Sequence, residues 1–350
     1  MAAAIEDFRA RILAKRPLRI RGGGSKDFYG GALAGEVLDT RVHAGIVNYE
    51  PTELVVTARG GTPLAELEAA LAGQRQCLAC EPPDHGGATV GGAVAAGLSG
   101  PRRATAGSLR DFVLGVQLMD GEGRLLHFGG EVMKNVAGFD VSRLVAGSMG
   151  TLGLIVEVSL KVLPLPVADL SLRFECSQER ALEDLNAWAG RPLPLAASAW
   201  QDGLLTVRLA GAEAAVAAAR DALGGEAIGV AEAMTFWSDL RHQRAAFFDA
   251  ADGRTLWRVG LPSVAPPLAL PGAPLVEWGG AQRWYRGGDA QEVRRVAVAA
   301  GGHATAYRGG DRAAGVFSPL PAPLLEVHTR LKQAFDPHGV FCPGRLYPEP

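Results

Sequence analysis

Arg21-Gly22-Gly23-Gly24-Ser25 follows directly on Leu18-Arg19-Ile20, a short strand-like run that ends in three glycines. Consecutive glycines let successive backbone N–H groups turn inward and form a concave cradle suited to phosphate oxygens. The same residues also suit a plain tight turn, and this segment alone does not separate the two readings. It is not a dinucleotide fingerprint of the doubly wound type, because no G-x-G-x-x-G opens a helix after the strand. Nor is it a P-loop, because no Gly-Lys-Ser/Thr follows. A nucleotide bound here needs a different fold.

Outward from this segment, the chain reads as an ordinary folded protein. Its 350 residues suffice for two domains, and 48% hydrophobic against 21% charged residues excludes a disordered or fibrous chain. A formal charge of −2 gives no surplus for neutralising nucleic-acid phosphates. Four cysteines, 77, 80, 176 and 342, are too few for a disulfide framework in a chain this long. Cys77-Leu78-Ala79-Cys80 has redox or zinc spacing, but no second pair completes a tetrahedral site, so both are read as small partly buried hydrophobes. The start, Met1 to Asp7, has neither the basic residues nor the apolar run of a signal peptide, and no apolar stretch reaches bilayer length. The expectation is a cytoplasmic protein that touches a membrane only through partners.

Periodicity predicts a helix over 4–16, strands over 18–21 and 54–58, a helix from Pro63 to about Leu71, a hairpin within 111–128, and a strand over 152–163. The proline pair at 164 and 166 marks a boundary. Beyond it, strand-like pieces at 170–176, 195–209, 254–261 and 274–285 alternate with alanine-rich helices at 178–189, 211–223 and 290–300. A last helix over 323–335 leads into a glycine- and proline-rich tail. The expected class is α+β, divided as 1–166, 167–322 and 323–350.

Two further segments matter. Gly87-Ala88-Thr89-Val90-Gly91-Gly92-Ala93-Val94-Ala95-Ala96-Gly97 lies in a stretch, 86–107, of small residues, too rich in glycine for a robust helix and not polar enough for a linker. Such composition suggests backbone brought close to something large. The third runs from Lys134-Asn135-Val136-Ala137-Gly138-Phe139-Asp140 to Gly147-Ser148-Met149-Gly150-Thr151-Leu152-Gly153-Leu154-Ile155. Taken in order, with Gly107-Ser108-Leu109-Arg110-Asp111 between and Phe335-Asp336-Pro337-His338-Gly339-Val340-Phe341-Cys342-Pro343-Gly344-Arg345 at the tail, the set resembles the FAD-binding domain of vanillyl-alcohol-oxidase-type (PCMH-type) flavoproteins. Within that family it is similar to the FAD-binding subunits of bacterial glycolate oxidases, most strongly over 18–166 and 323–347.

The resemblance implies a two-subdomain PCMH-type FAD-binding domain, a smaller α+β cap domain, and a tail returning to the first. It implies FAD as cofactor, with Arg21, Gly22, Gly23, Gly24 and Ser25 around the pyrophosphate. Thr89, Gly91, Gly92 and Gly97 would line the ribityl and diphosphate region. Gly107, Ser108 and Asp111 would flank the isoalloxazine, and Gly150, Gly153 and Ile155 the adenine half. Relatives that bind flavin covalently often carry histidine where Ser25 stands, so the implied link is non-covalent. Cys342 replaces an asparagine common in relatives.

Oxidising a 2-hydroxy acid needs a base for the hydroxyl proton, a hydride path to the flavin and a cation for the carboxylate. The H-x-x-G-D-G-N motif that similar single-chain dehydrogenases carry is absent; His303 lies in Gly301-Gly302-His303-Ala304-Thr305 instead. The other histidines lack metal-ligand spacing, so no metal site is expected and the catalytic residues are unassigned. Arg241, His242 and Arg244 share an expected helix with Trp237, fit either for a carboxylate or for solvent. The resemblance implies a paralogous FAD-linked subunit and an iron–sulfur subunit that passes electrons to quinone, with glycolate oxidised to glyoxylate. The alternatives are a self-sufficient FAD-linked dehydrogenase of a small 2-hydroxy acid such as D-lactate, or a cofactor-free scaffold.

Overall fold

The computed structural model describes residues 2–131, 140–249, 252–312 and 315–348. Helices and strands are mixed throughout, as the α+β expectation requires. The chain forms two compact units: Met1–Leu98, Ser108–Pro164 and Pro319–Pro350 make the first, and Ser99–Gly107 with Leu165–Ser318 make the second.

The first unit is built on a five-stranded antiparallel sheet. Its order is Ile46–Glu50, Val55–Arg59, Leu154–Lys161, Val113–Met119, Leu125–Gly129. The central strand Leu154–Lys161 is buried along most of its length, with Glu157 and Lys161 its two half-buried positions. Beside this sheet, Leu18–Arg21 pairs in parallel with Glu36–Asp39. Helix Ala2–Leu13 places Phe8 and Ile12, four residues apart on one face, against Leu18 and Leu38. Met119, Leu154 and Val156 of the larger sheet and Val340 and Phe341 of the tail complete the same core.

The tail therefore returns to the first strands. Leu18 N donates to Val340 O at 2.7 Å, and Cys342 N donates to Leu18 O at 2.8 Å. One ammonium fixes this return: Lys332 Nζ, buried at the end of helix Ala322–Phe335, donates to Asp336 Oδ2 (2.6 Å), Phe341 O (2.9 Å) and Thr151 O (2.8 Å). The carboxylate of Asp336 also accepts from the amides of Val340 and Phe341, so the buried pair is well satisfied.

The second unit carries an eight-stranded sheet in the order Glu226–Ala227, Ala168–Glu175, Leu204–Gly211, Leu195–Gln201, Leu275–Glu277, Gln282–Arg286, Leu256–Gly260, His303–Arg308. Helices Gln178–Ala189 and Glu213–Leu223 cover Leu172, Leu205, Val207 and Leu209. Helix Ala290–Ala299 covers Trp257, Val259 and Tyr285. Helix Val230–His242 meets Ser171, which faces opposite to Leu172, through Trp237 Nε1 at 2.8 Å. Arg244 bonds Asp239 Oδ1 of that same helix at 2.9 Å.

Residues 99–107 group with this second unit, although the sequence division placed them in the first block. The reason is local: Trp278 Nε1 donates to Gly100 O (3.0 Å), the Arg103 guanidinium lies 4.4 Å from the Trp278 ring, and Thr105 Oγ1 donates to Ala196 O (2.7 Å). Two other expectations change. The small-residue stretch does hold a helix, Val90–Ala96, despite its glycines, because both ends are capped. Strand His303–Arg308 also forms where no strand was expected.

Candidate functional site

The glycine segments converge within the first unit, and each contact depends on a missing side chain. A Cβ on Gly23 would stand 1.6 Å from Gly87 O, and one on Gly22 would stand 2.1 Å from Thr89 Oγ1. The loop at 22–25 is thus pressed against the segment 87–92. Thr89 is the N-cap of Val90–Ala96, its Oγ1 accepting from Gly92 N at 3.2 Å. Gly97 ends that helix in the left-handed conformation, φ +63°, as glycine after a C-terminus commonly does.

The helix end then recruits the third segment. Gly147 N donates to Val94 O at 3.0 Å, and Met149 N donates to Ala95 O at 2.8 Å. Carbonyls left open at the terminus are satisfied by the turn that leads to Gly150. Arg345 brings in the tail: it donates from Nη1 to Gly31 O and from Nη2 to Lys26 O (3.0 Å), while Gly31 N donates to Arg345 O at 2.8 Å.

Two adjoining cavities lie among these segments. The larger, about 660 Å³ and partly open to solvent, is walled by Arg21, Gly22, Gly23, Gly24, Ser25, Thr89 and Gly92, with Cys342 and Arg345 from the tail. The smaller, about 390 Å³, is walled by Gly91, Gly92, Gly150, Gly153 and Ile155. Ile20, Gly22, Gly92, Ala95 and Met149 are common to both.

Of the fifteen residues implied by the resemblance, eleven line these two cavities and Gly97 packs against Gly147 at the helix end. Gly107, Ser108 and Asp111 line neither cavity. Gly107 groups with the second unit. Ser108 and Asp111 are engaged with each other at the start of helix Leu109–Phe112, where Asp111 Oδ2 accepts from Ser108 N (2.8 Å) and Oγ (2.7 Å). Burial raises the Asp111 pKa, but these bonds outweigh it and hold the carboxyl below its usual value. The stretch Lys134 to Phe139 lies outside the described residues.

The donor set fits a dinucleotide's diphosphate. Among the described residues, the amides of Gly22, Gly23, Gly24 and Ser25 have no hydrogen-bond partner, although backbone donors rarely go unpaired. They front a cavity whose wall carries Arg19, Arg21, Lys26 and Arg345 against the single carboxylate Asp27. Neutral amides presented by glycines, backed by cations, suit a doubly charged phosphate ligand. Arg19, Lys26 and Met149 were not read from the sequence as site residues. Alternation along Leu18-Arg19-Ile20-Arg21 is the signal that sets Arg19 beside Arg21, opposite the apolar pair.

Cys342 occupies the cavity wall with φ +44°, a left-handed conformation that asparagine tolerates better than most residues. Its thiol is pushed up in pKa by burial, so it stands there as a neutral group. Of the other cysteines, Cys80 is buried and Cys77 half-buried, neither in a disulfide. Among the described residues no group of three or more His, Cys, Asp or Glu side chains is placed to hold a metal ion.

The family model described as "FAD binding domain" matches residues 2–129. The chain is 51% identical to the glycolate oxidase subunit GlcE of Escherichia coli, over 99% of this chain and 97% of that one. Over 43% of this chain and 32% of the relative it is 34% identical to a D-lactate dehydrogenase of Anaerostipes hadrus. A shorter match, 38% identity over 24% of this chain and 19% of the relative, is to the glycolate oxidase subunit GlcD of Bacillus subtilis. Among solved structures, an alkyldihydroxyacetonephosphate synthase aligns with a TM-score of 0.67 over 96% of this chain and 74% of its own, at 15% identity, which is a likeness of fold.

Proposed function

Because the chain belongs to the family of the glycolate oxidase subunit GlcE, we propose that it is the FAD-holding subunit of a glycolate oxidase assembly. It is an FAD-dependent oxidoreductase component. In this reading it works beside a paralogous FAD-linked subunit, of the kind the match to GlcD suggests, and beside an iron–sulfur subunit that delivers electrons to quinone. The observation that carries the proposal is the cavity where three glycine segments and the tail meet around four unpartnered amides.

Bound FAD supplies the chemistry of hydride acceptance and stepwise electron release. The chain's residues do the holding. The amides of Gly22 to Ser25 donate to the diphosphate; Thr89, Gly91 and Gly92 shape the passage between the cavities; Gly150, Gly153 and Ile155 receive the adenine half. Ser25 offers no imidazole for a covalent bond, so retention is non-covalent. No described helix is long and apolar enough to cross a membrane, and the proposed attachment to the inner membrane runs through partner subunits.

The test is a flavin spectrum of the purified chain, alone and with its candidate partners, followed during addition of glycolate and of D-lactate. The chain alone is expected to hold FAD that acid releases and glycolate does not bleach, with bleaching restored in the assembly. A colourless chain overturns the cofactor assignment. Rapid bleaching of the isolated chain overturns the accessory role and makes it a dehydrogenase in its own right.

A further inference from the structure

The turn at residues 40–45 carries an imidazole that the holding of FAD does not use. His43 is buried, with its ring edge-on to Phe8 of the first helix, centroids 6.4 Å apart and planes at 83°. Its Nε2 has no hydrogen-bond partner among the described residues, and the buried Nε of Arg59 has none either. The charges that act on the imidazole are both positive: Arg59 from strand Val55–Arg59, and the amino terminus from the side of the first helix. Burial first, then these two charges, holds its pKa below the usual 6.5.

The backbone of this turn is locked to a cavity wall. His43 N donates to Thr40 O, Gly61 N donates to His43 O, and Thr40 N donates to Arg21 O, each at 3.0 Å. A Cβ on Gly61 would stand 1.9 Å from Thr40 O, so the turn and the strand end touch with no side chain between them. Thr40 and Gly60 both wall the smaller cavity, and Gly60 O accepts from Gly91 N at 2.8 Å.

A proton on His43 makes a buried cation with no acceptor at Nε2 and a guanidinium acting against it. Such a charge is costly where it stands, and the ring is relieved by swinging into water with its turn. That motion gives up the bond from Gly61 N and draws Thr40 away from the wall. We infer that His43 is an acid-sensitive latch on the smaller cavity: neutral, it keeps the wall closed on the cofactor's adenine half, and charged, it opens the wall and lets the cofactor go. The inference rests on the FAD reading above and adds a regulation to it.

The closed state holds the imidazole below 6.5, and the open state, in water, returns it to about 6.5. Affinity is therefore full above that value and falls as the pH drops below it, with a proton taken up as FAD leaves. At pH 5.5 the open form gains about 10-fold over its weight at pH 8. FAD brings no titration of its own to this range, because its diphosphate is a diester with no proton to gain.

The experiment titrates the full-length, flavin-free chain with FAD at pH 8 and pH 5.5, as wild type and as His43→Gln. The dissociation constant should rise about 10-fold further in wild type than in the variant. If His43→Gln does not fold, His43→Leu, which stays buried and takes no proton, replaces it. Hydrogen exchange of the flavin-free wild type, corrected for the intrinsic effect of pH, should show Gly61 N losing protection at pH 5.5. An equal rise in both proteins, or a Gly61 amide equally protected at both pH values, overturns the latch and leaves the FAD reading standing. A wild type that binds no FAD at either pH overturns that reading, and Gly61 exchange then still reports whether the turn opens.

Discussion

Replacing Gly23 by alanine adds one methyl group where the structure leaves no room for it. The new Cβ would stand 1.6 Å from Gly87 O, and real Cβ contacts essentially never fall under 3.0 Å, so the two loops must part by at least 1.4 Å. The Gly87 side cannot yield easily. Asp84 accepts from the amides of Ala88 (2.6 Å) and Gly87 (3.2 Å), and Ala88 O accepts from Leu64 N (2.8 Å). The movement therefore falls on residues 22–25, whose amides face the cavity. Overpacking of this kind costs roughly 1–3 kcal/mol. A shift beyond 1 Å also misaligns hydrogen bonds to a charged ligand, worth about 1.5–3 kcal/mol each. Loss of about 3 kcal/mol raises the FAD dissociation constant on the order of 100-fold. The assay is the flavin-to-protein absorbance ratio after gel filtration, with titration of flavin-free protein by FAD. Gly73→Ala is the control, because its Cβ would meet nothing within 4 Å; it should be neutral or stabilise by about 0.5–1 kcal/mol. A Gly23→Ala protein with flavin content and affinity within threefold of wild type refutes the placement of this loop.

Lys332→Met strands the buried Asp336 carboxylate and frees Thr151 O and Phe341 O. It should cost about 3–5 kcal/mol in urea unfolding and lower flavin retention, and a cost below 1 kcal/mol would refute the tail lock. His43 is buried with Nε2 unpartnered, and burial, with Arg59 nearby, holds its pKa below the usual 6.5. A group that takes up a proton more readily unfolded destabilises the fold as pH falls below that value. The urea midpoint should drop between pH 7 and pH 5 by less in His43→Gln than in wild type; an identical drop in both would remove His43 from the account.

The order of the glycine segments was legible because close backbone approach excludes a side chain, and Gly22 and Gly23 each answer a particular contact. Helix Ala2–Leu13, strands Leu18–Arg21 and Val55–Arg59 and the hairpin were legible from periodicity, whereas strands Glu36–Asp39 and Ile46–Glu50 were not read. The glycines of Val90–Ala96 hide a helix whose start and stop signals, Thr89 and Gly97, decide so short an element. Lys332 was invisible for a different reason: its role lies in the acceptors around it, and Thr151, far away in the sequence, supplies one of them. The 99–107 segment was assigned by proximity in the chain, whereas Trp278, far along it, determines where the segment packs.

The return of the tail to Leu18 has a consequence for biosynthesis. The strand and loop of residues 18–25 leave the ribosome early, but Cys342 and Arg345, which wall the same cavity, emerge only after the whole second unit has been made. During translation the nascent chain presents a half-built cradle with its amides open to water. With FAD seated in this cavity as proposed, its loading would be deferred until synthesis has passed residue 345. A product cut short before that point would keep the glycine loop yet lack the Cys342 and Arg345 wall, so on the proposed placement colour in the purified protein would report an intact tail as well as a bound cofactor.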